Sequence, residues 1–334
     1  IDGKGNVIGN KDADYRNEFG RILTGNEYLT VFSGETGEAL YTTDYTPPRA
    51  NVKDWGDEKA NRSDRFLACV AYLDGVKPSV VMCRGYYTRS VLAAYDWDGK
   101  VLTQKWVFDS NTPGNEDYAG QGNHNLRVAD VDGDGCDEII YGSCTINNDG
   151  TGLYSTKMGH GDAIHLAQFS VSDKRLQVWD CHENKIDGSS FRDAATGEVL
   201  WQIKSDIDVG RAMAADIDPT NEGVEMWSSD SKGLRNIKGK SIARRVRRLP
   251  TNMAVWWDGD LLRELLDRNL ISKYNWETKA CEVVTVFNGA MSNNGSKATP
   301  SLQGDIIGDW REEVILRSTD NKSLRIYVST IPTK

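Results

Sequence analysis

Apolar residues along this chain alternate with polar ones or come in short runs, and no long stretch repeats at the helical spacing. Tyr28-Leu-Thr-Val-Phe-Ser-Gly-Glu-Thr-Gly-Glu-Ala-Leu-Tyr41, Val91-Leu-Ala-Ala-Tyr-Asp-Trp-Asp-Gly-Lys-Val-Leu102 and Phe191-Arg-Asp-Ala-Ala-Thr-Gly-Glu-Val-Leu-Trp201 each set two alternating segments about a polar, glycine-containing turn. That pattern predicts β-hairpins, with glycine supplying the positive φ of the turn. Leu261-Leu-Arg-Glu-Leu-Leu-Asp267 reads as a helical turn or two, or as a hairpin arm; its place just after Asp258-Gly259-Asp260 favours the arm.

A second pattern interleaves with the hairpins. Ala129-Asp-Val-Asp-Gly-Asp-Gly-Cys-Asp-Glu-Ile-Ile-Tyr141, Ala215-Asp-Ile-Asp-Pro-Thr-Asn-Glu-Gly-Val-Glu-Met-Trp227 and Gly304-Asp-Ile-Ile-Gly-Asp-Trp-Arg-Glu-Glu-Val-Ile-Leu316 share one register, with first aspartates at 130, 216 and 305. Halving those spacings predicts weaker copies between them. Leu166-Ala-Gln-Phe-Ser-Val-Ser-Asp-Lys-Arg-Leu-Gln-Val-Trp179 and Ala254-Val-Trp-Trp-Asp258 are candidates, and Cys69-Val-Ala-Tyr-Leu-Asp-Gly-Val-Lys-Pro-Ser-Val-Val-Met82 is another upstream. A period in the low forties is that of a four-stranded propeller blade. The expected fold is an all-β propeller over 1–334 as a single domain, with about six blades visible.

The 334 residues are enough for a large core, and 32 Gly against 8 Pro suits repeated hairpins. A net charge of −9 argues against nucleic acid as the main partner. No apolar run is long enough to span a membrane. The chain opens at Ile1-Asp2-Gly3, which reads as part of a turn, so a processed or truncated chain is expected. The six cysteines (69, 83, 136, 144, 181, 281) lack metal-ligand spacing, and no pairing follows from them.

The acidic loops carry the first candidate chemistry. Asp130, Asp132 and Asp134 alternate ahead of Gly135, then Glu138 follows, and Cys136 would offer its backbone carbonyl. Calcium takes six to eight oxygens, which alternate residues of a curved loop can supply. The same register gives Asp216, Asp218 and Glu225, and then Asp305, Asp309 and Glu313. Each loop reads as a structural calcium site or as a solvated acidic turn. Each enters a strand, so none is an EF-hand.

Three polar loops are left over once the strands are assigned. Ala119-Gly-Gln-Gly-Asn-His-Asn125 and Lys157-Met-Gly-His-Gly-Asp-Ala-Ile-His165 carry His124, His160 and Asp162, which could jointly hold a metal or stand as surface residues. Met291-Ser-Asn-Asn-Gly-Ser-Lys-Ala-Thr299 holds the amides, hydroxyl and lysine of a sugar or carboxylate site. Arg211 precedes the 216 loop as Lys297 precedes the 305 loop, so both cations would face one mouth of a propeller or simply be solvated. The run Arg244-Arg-Val-Arg-Arg248 reads as a solvated loop without a role.

Taken together the chain resembles the rhamnogalacturonan lyases of polysaccharide lyase family 11. The resemblance rests on Asp64-Arg-Phe-Leu-Ala-Cys-Val-Ala-Tyr-Leu-Asp-Gly75, Arg84-Gly-Tyr-Tyr-Thr-Arg89, Tyr118-Ala-Gly-Gln-Gly-Asn-His-Asn125 and Gly159-His-Gly-Asp162. It continues through Phe191-Arg-Asp-Ala-Ala-Thr-Gly-Glu198, Trp256-Trp-Asp-Gly-Asp-Leu-Leu-Arg-Glu-Leu-Leu266 and Gly308-Asp-Trp-Arg-Glu-Glu313. It implies an eight-bladed propeller with several calcium ions, and β-elimination at galacturonate in rhamnose–galacturonate chains. It implies a secreted enzyme, extracellular or periplasmic and monomeric, acting on an acidic plant cell-wall polysaccharide, rhamnogalacturonan I. By resemblance Asn294, Gly295, Ser296 and Lys297 match a sugar-contacting loop, Arg211 a cation near galacturonate, and His124 and His160 a calcium site. Relative to the family, the chain is expected to lack N-terminal blades and a C-terminal stretch, and the 240–253 segment differs.

Such a reaction needs a base for the C5 proton and a cation on the carboxylate. Lys297 is the expected base, with Arg211 and calcium as the electrophile. The rival reading is a non-catalytic sugar-binding or adhesion propeller whose calcium loops are structural. A hydrolase is disfavoured because no carboxylate pair stands out beyond the acidic loops.

Overall fold

The structure, a computed structural model, describes residues 6–230 and 233–332; the turn expected at 1–3 lies outside them. The chain divides into two compact units, residues 1–164 with 194–198, and residues 165–193 with 199–334. Antiparallel sheets build both, and among the described residues the helical elements are two short 3₁₀ turns, Val52–Trp55 and Glu116–Tyr118. Six sheets are four-stranded and one is the two-stranded hairpin Tyr28–Phe32 with Ala39–Asp44.

In the first unit, Phe66–Ala71, Ser79–Arg84, Val91–Trp97 and Leu102–Asp109 form one four-stranded sheet. Gly122–Ala129, Glu138–Gly142, Cys144–Ile146 and Gly152–Ser155 form the next. Strand period two explains the core. Leu92 and Ala94 point into a cluster with Val81, Phe108, Ile139 and Tyr141, while Ala93 and Tyr95 point the other way toward Leu29, Val31 and Tyr41. The Val91–Trp97 strand is therefore covered on both faces, which is why Val91–Tyr95 runs apolar throughout where alternation was expected.

The strand Ala163–Ala167 opens the next sheet as the chain passes from the first unit into the second, where later sheets open with Ala212–Ala215 and Met253–Val255, followed by a last sheet with an interrupted first strand. Ala290–Met291 and Leu302–Gly304 pair with the two ends of the same strand, Glu313–Ser318, so residues 292–301 loop out from the middle of one edge. Leu265 and Leu266, adjacent in Glu264–Asp267, enter different clusters, one with Trp227 and Tyr274 and one with Trp257 and Phe287. Burying each leucine stabilises by about 2 kcal/mol. The segment read as helix or arm is thus an arm, with Glu264–Asp267 paired to Leu270–Asn275. All three predicted hairpins are present. All six cysteines are free thiols.

Candidate functional site

The second strand of each four-stranded sheet opens on a polar residue that is nearly or fully buried: Ser79, Glu138, Gln177, Glu225, Glu264 and Glu313. The four glutamates do the same local work. Each turns a carboxylate oxygen back onto backbone N–H groups of the preceding loop. Glu138 accepts from Val131 at 3.0 Å; Glu225 from Ile217 and Asp218 at 3.0 and 2.9 Å. Glu264 accepts from Trp257 and Asp258 at 2.9 and 3.1 Å, and Glu313 from Ile306 and Ile307 at 2.8 and 3.1 Å. Gln177 makes the neutral version, its amide oxygen taking the Phe169 N–H at 3.2 Å. The repeat seen in sequence is this hook, and Glu264 and Gln177 are members that Asp-rich spelling did not reveal.

The hook leaves Glu138 Oε1 buried without a hydrogen-bond partner, and likewise Glu225 Oε1 and Asp218 Oδ2. Ligand oxygens of Asp130, Asp132 and Glu138 lie within 4.8 Å of one another. Burial, with repulsion from Asp132, Asp134 and Asp130, pushes the Glu138 carboxyl up to about 7 despite its Val131 hydrogen bond. Burial pushes Glu225 up to about 8. Orphaned, mutually repelling carboxylates in an oxygen-only loop fit a hard divalent ion such as calcium. Asp134 stands outside that trio and accepts the Cys136 N–H at 2.7 Å.

The other two predicted loops are looser. Among the described residues neither gathers three acidic ligand atoms as the 130 loop does. Asp218 accepts from Thr220 and lies 3.6 Å from Lys279 Nζ, and burial with the Asp218 charge holds Asp216 above its ordinary value. Asp305 is taken up by the N–H groups of Gly308, Asp309 and Trp310, while Arg311 pairs with Asp309.

A fourth loop gathers Asp258, Asp260 and Glu264 as tightly as the first, but a side chain already supplies its cation. Lys273 Nζ pairs with Asp258 and lies 2.8 Å from both Asp260 and Glu264. Burial alone would lower Lys273; the three carboxylates outweigh it and hold the ammonium above its ordinary value. Trp256 occupies the place held by Asp130 in the first loop, one residue before the first hooked N–H.

The leftover polar loops map to the opposite strand ends. In the Gly122–Ala129 strand, Gly122 pairs with Gly142 and Arg127 with Ile140, so residues 123–126 bulge, and His124 lies in that bulge. A parallel bridge between Asn123 and Gly161 then draws the 157–165 loop alongside, with His124 N–H donating to the Gly161 carbonyl at 3.3 Å. His124, His160 and Asp162 come together with ligand atoms within 4.8 Å, as the sequence suggested. Gly122 makes room for this: a Cβ there would lie 2.5 Å from the rings or Cβ of Tyr141 and Tyr86.

His160 is buried, with Nδ1 hydrogen-bonded to the Gly122 carbonyl. A carbonyl only accepts, so Nδ1 carries the proton and Nε2 presents the lone pair. Burial pushes His160 down to about 4, so the ring is neutral near pH 7. Tyr86 and Tyr87, which sequence reasoning left without a role, bond His124 at Nδ1 (3.1 Å) and Nε2 (2.9 Å) through their hydroxyls. His124 Nε2 is also 2.9 Å from Asp162. The Tyr87 ring sits 4.0 Å from His160, and the Arg62 guanidinium lies 3.2 Å over that same tyrosine.

Arg211 and Lys297 occupy corresponding places in their own sheets. Arg211 immediately precedes Ala212–Ala215, and Asp216 follows the same strand. Lys297 lies in the loop that interrupts the strand leading to Asp305. Both cations are half-buried. The loop around Lys297 is self-braced: its N–H donates to Asn294 Oδ1 at 2.8 Å, and Ser292 Oγ donates to the Asn294 carbonyl at 2.8 Å. Asn294, Gly295 and Ser296 are exposed at its tip. At ~3.3 Å per residue, the four-residue strand holds Arg211 roughly 15 Å from the 216 loop. Arg211 and the 216 loop thus lie at opposite ends of the Ala212–Ala215 strand.

Known proteins of the same kind share the whole chain. A curated rhamnogalacturonan exolyase, YesX of Bacillus subtilis, is 54% identical over 98% of this chain and 56% of its own length. The rhamnogalacturonan endolyase YesW of that organism is 54% identical over 100% of this chain and 54% of its own. A solved rhamnogalacturonan lyase of Bacillus licheniformis superposes with a TM-score of 0.95 at 56% identity, covering 99% of this chain and 57% of that one. The chain thus spans a little over half the length of these relatives. Residues 1–334 match the C-terminal domain of rhamnogalacturonan lyase family 11, and the chain belongs to that family.

Proposed function

We propose that the protein is a rhamnogalacturonan lyase, cleaving rhamnose–galacturonate linkages of rhamnogalacturonan I by β-elimination. The observation that supports this reading most is the match to a family of such lyases, joined by Arg211 at the head of Ala212–Ala215 and Lys297 in the loop that interrupts the strand leading to Asp305. Arg211, with a permanent planar charge, clamps the galacturonate carboxylate. That lowers the cost of the enediolate formed as Lys297, in its neutral form, takes the C5 proton and the C4–O bond breaks. Asn294, Gly295 and Ser296, exposed at the loop tip, contact the sugar hydroxyls.

The acidic donors of 130–138, 216–225 and 305–313, and the cluster of His124, His160 and Asp162, would hold calcium. Bound at the histidine cluster, calcium would supply further positive charge; at the acidic loops it braces the hooks. The run of four-stranded antiparallel sheets suits the blades of a propeller, and the substrate suits a secreted monomer. Digestion of rhamnogalacturonan I in ¹⁸O-water tests the reaction class. A lyase leaves no heavy oxygen at the cleaved bond and a hydrolase inserts one; unmodified polymer would point to a sugar-binding module.

A further inference from the structure

The arginine run that looked like a solvated loop is built into the second unit. Arg247 N–H donates to the Lys279 carbonyl and its own carbonyl accepts from Cys281 N–H at 3.0 Å, a parallel bridge onto the edge of the Ala280–Val286 strand. In that extended backbone, side chains alternate. Val246 and Leu249 pack toward the core around Trp227 and Tyr274, while Arg245 and Arg247 remain exposed. Both arginines line a cavity of about 910 Å³, together with Ser228, Ser229, Thr278 and Lys279 and the apolar Trp227. No described carboxylate forms an ion pair with Arg244, Arg245, Arg247 or Arg248.

An acidic protein of net charge −9 thus places two arginines without an ion-pair partner among the described residues around a mixed polar and apolar space large enough for several sugar rings. The cavity also adjoins the strand end already described, because Ser229 N–H donates to the Arg211 carbonyl at 2.9 Å. We propose that this cavity is a secondary subsite for the carboxylate-bearing sugars of an acidic polysaccharide, with Arg245 and Arg247 as its anion-reading residues. The choice of a uronate chain as ligand rests on the lyase reading; the anion site itself does not.

Affinity electrophoresis at low temperature, through gels holding rhamnogalacturonan I or its carboxyl-reduced neutral form, tests the subsite. Arg245→Ser with Arg247→Ser removes two charge-assisted contacts and is expected to weaken retardation about ten-fold. Arg245→Lys with Arg247→Lys should recover part of it. Because both side chains are exposed and the strand contacts of Arg247 are backbone ones, the thermal midpoint should be unchanged. Equal retardation of the serine variant and the parent overturns the proposal, as does a parent that the acidic polymer does not retard or that the neutral polymer retards equally. Retardation lost in the serine variant, with no unsaturated product from the parent, sinks the lyase reading and leaves the anion site standing.

Discussion

Lys273 Nζ lies 2.8 Å from the buried carboxylate of Glu264, with Asp258 and Asp260 on its other sides. The ammonium stands where the 130–138 loop gathers three carboxylates with no cation of its own. An aspartate-rich turn in this repeat can therefore be neutralised from within the chain.

Replacing Lys273 by methionine keeps the stem but strips the charge. Three carboxylates would then face one another around a buried Glu264, at a cost of about 3 kcal/mol. Thermal unfolding in chelator should show a lower midpoint than the parent, partly recovered by millimolar calcium. A Lys273→Met midpoint equal to the parent's, with and without calcium, would refute the role of the ammonium.

Glu138→Gln separates the hook from the charge. Gln177 shows that an amide oxygen can make the backbone contact, so the variant should hold its loop. The orphaned Glu138 Oε1 and the repulsion that raises this carboxyl are what a bound ion would relieve. Native mass spectrometry is expected to find one calcium fewer than in the parent, with no loss of midpoint in chelator. Unchanged stoichiometry would remove this loop from the calcium sites.

Acid should attack the first unit through Glu27. Burial alone would raise this carboxyl, but Arg84 and Arg49 outweigh it and hold it below its ordinary 4.5. A depressed carboxylate contributes stability above its unfolded value, and that stability is lost as pH falls through the lower folded one. Arg84 is fully buried, with Tyr45, Trp55 and Phe66 around its guanidinium. Glu27→Gln should cost about 3–5 kcal/mol at pH 7 and flatten the acid limb. A denaturation midpoint unchanged from pH 7 to pH 3 would contradict this.

Arg211→Lys keeps the charge and loses the two-pronged donor. If the clamp works on a carboxylate, kcat/KM for rhamnogalacturonan should fall about ten-fold or more, with folding intact. Equal kcat/KM for the two proteins would remove Arg211 from the carboxylate clamp.

The parts legible in sequence were those carried by local spelling. Hairpins at 28–41, 91–102 and 191–201 announce themselves by apolar segments set about a glycine-containing turn, and the 130 loop by its aspartates. Glu264 went unread because Trp256 stands where an aspartate was sought and its neutralising Lys273 comes from the next strand. The pairing of His124 with His160 was suggested by composition, yet it depends on a bridge between Asn123 and Gly161 that no local pattern encodes. Tyr86 and Tyr87 were visible as an aromatic pair; their bonds to His124 belong to the fold. The arginines of 244–248 are exposed, in keeping with a solvated run; what no local pattern encodes is the bridge that pins the Arg247 backbone beside Ala280.

The most direct test follows ultraviolet absorbance of the unsaturated uronide while the protein and its Lys297→Ala variant act on rhamnogalacturonan I. A steady rise is expected for the parent, with a rate at least about a hundred-fold lower for the variant, the usual loss when a general base is removed. A variant that matches the parent would contradict Lys297 as the base, and a parent that yields no rise would contradict β-elimination itself.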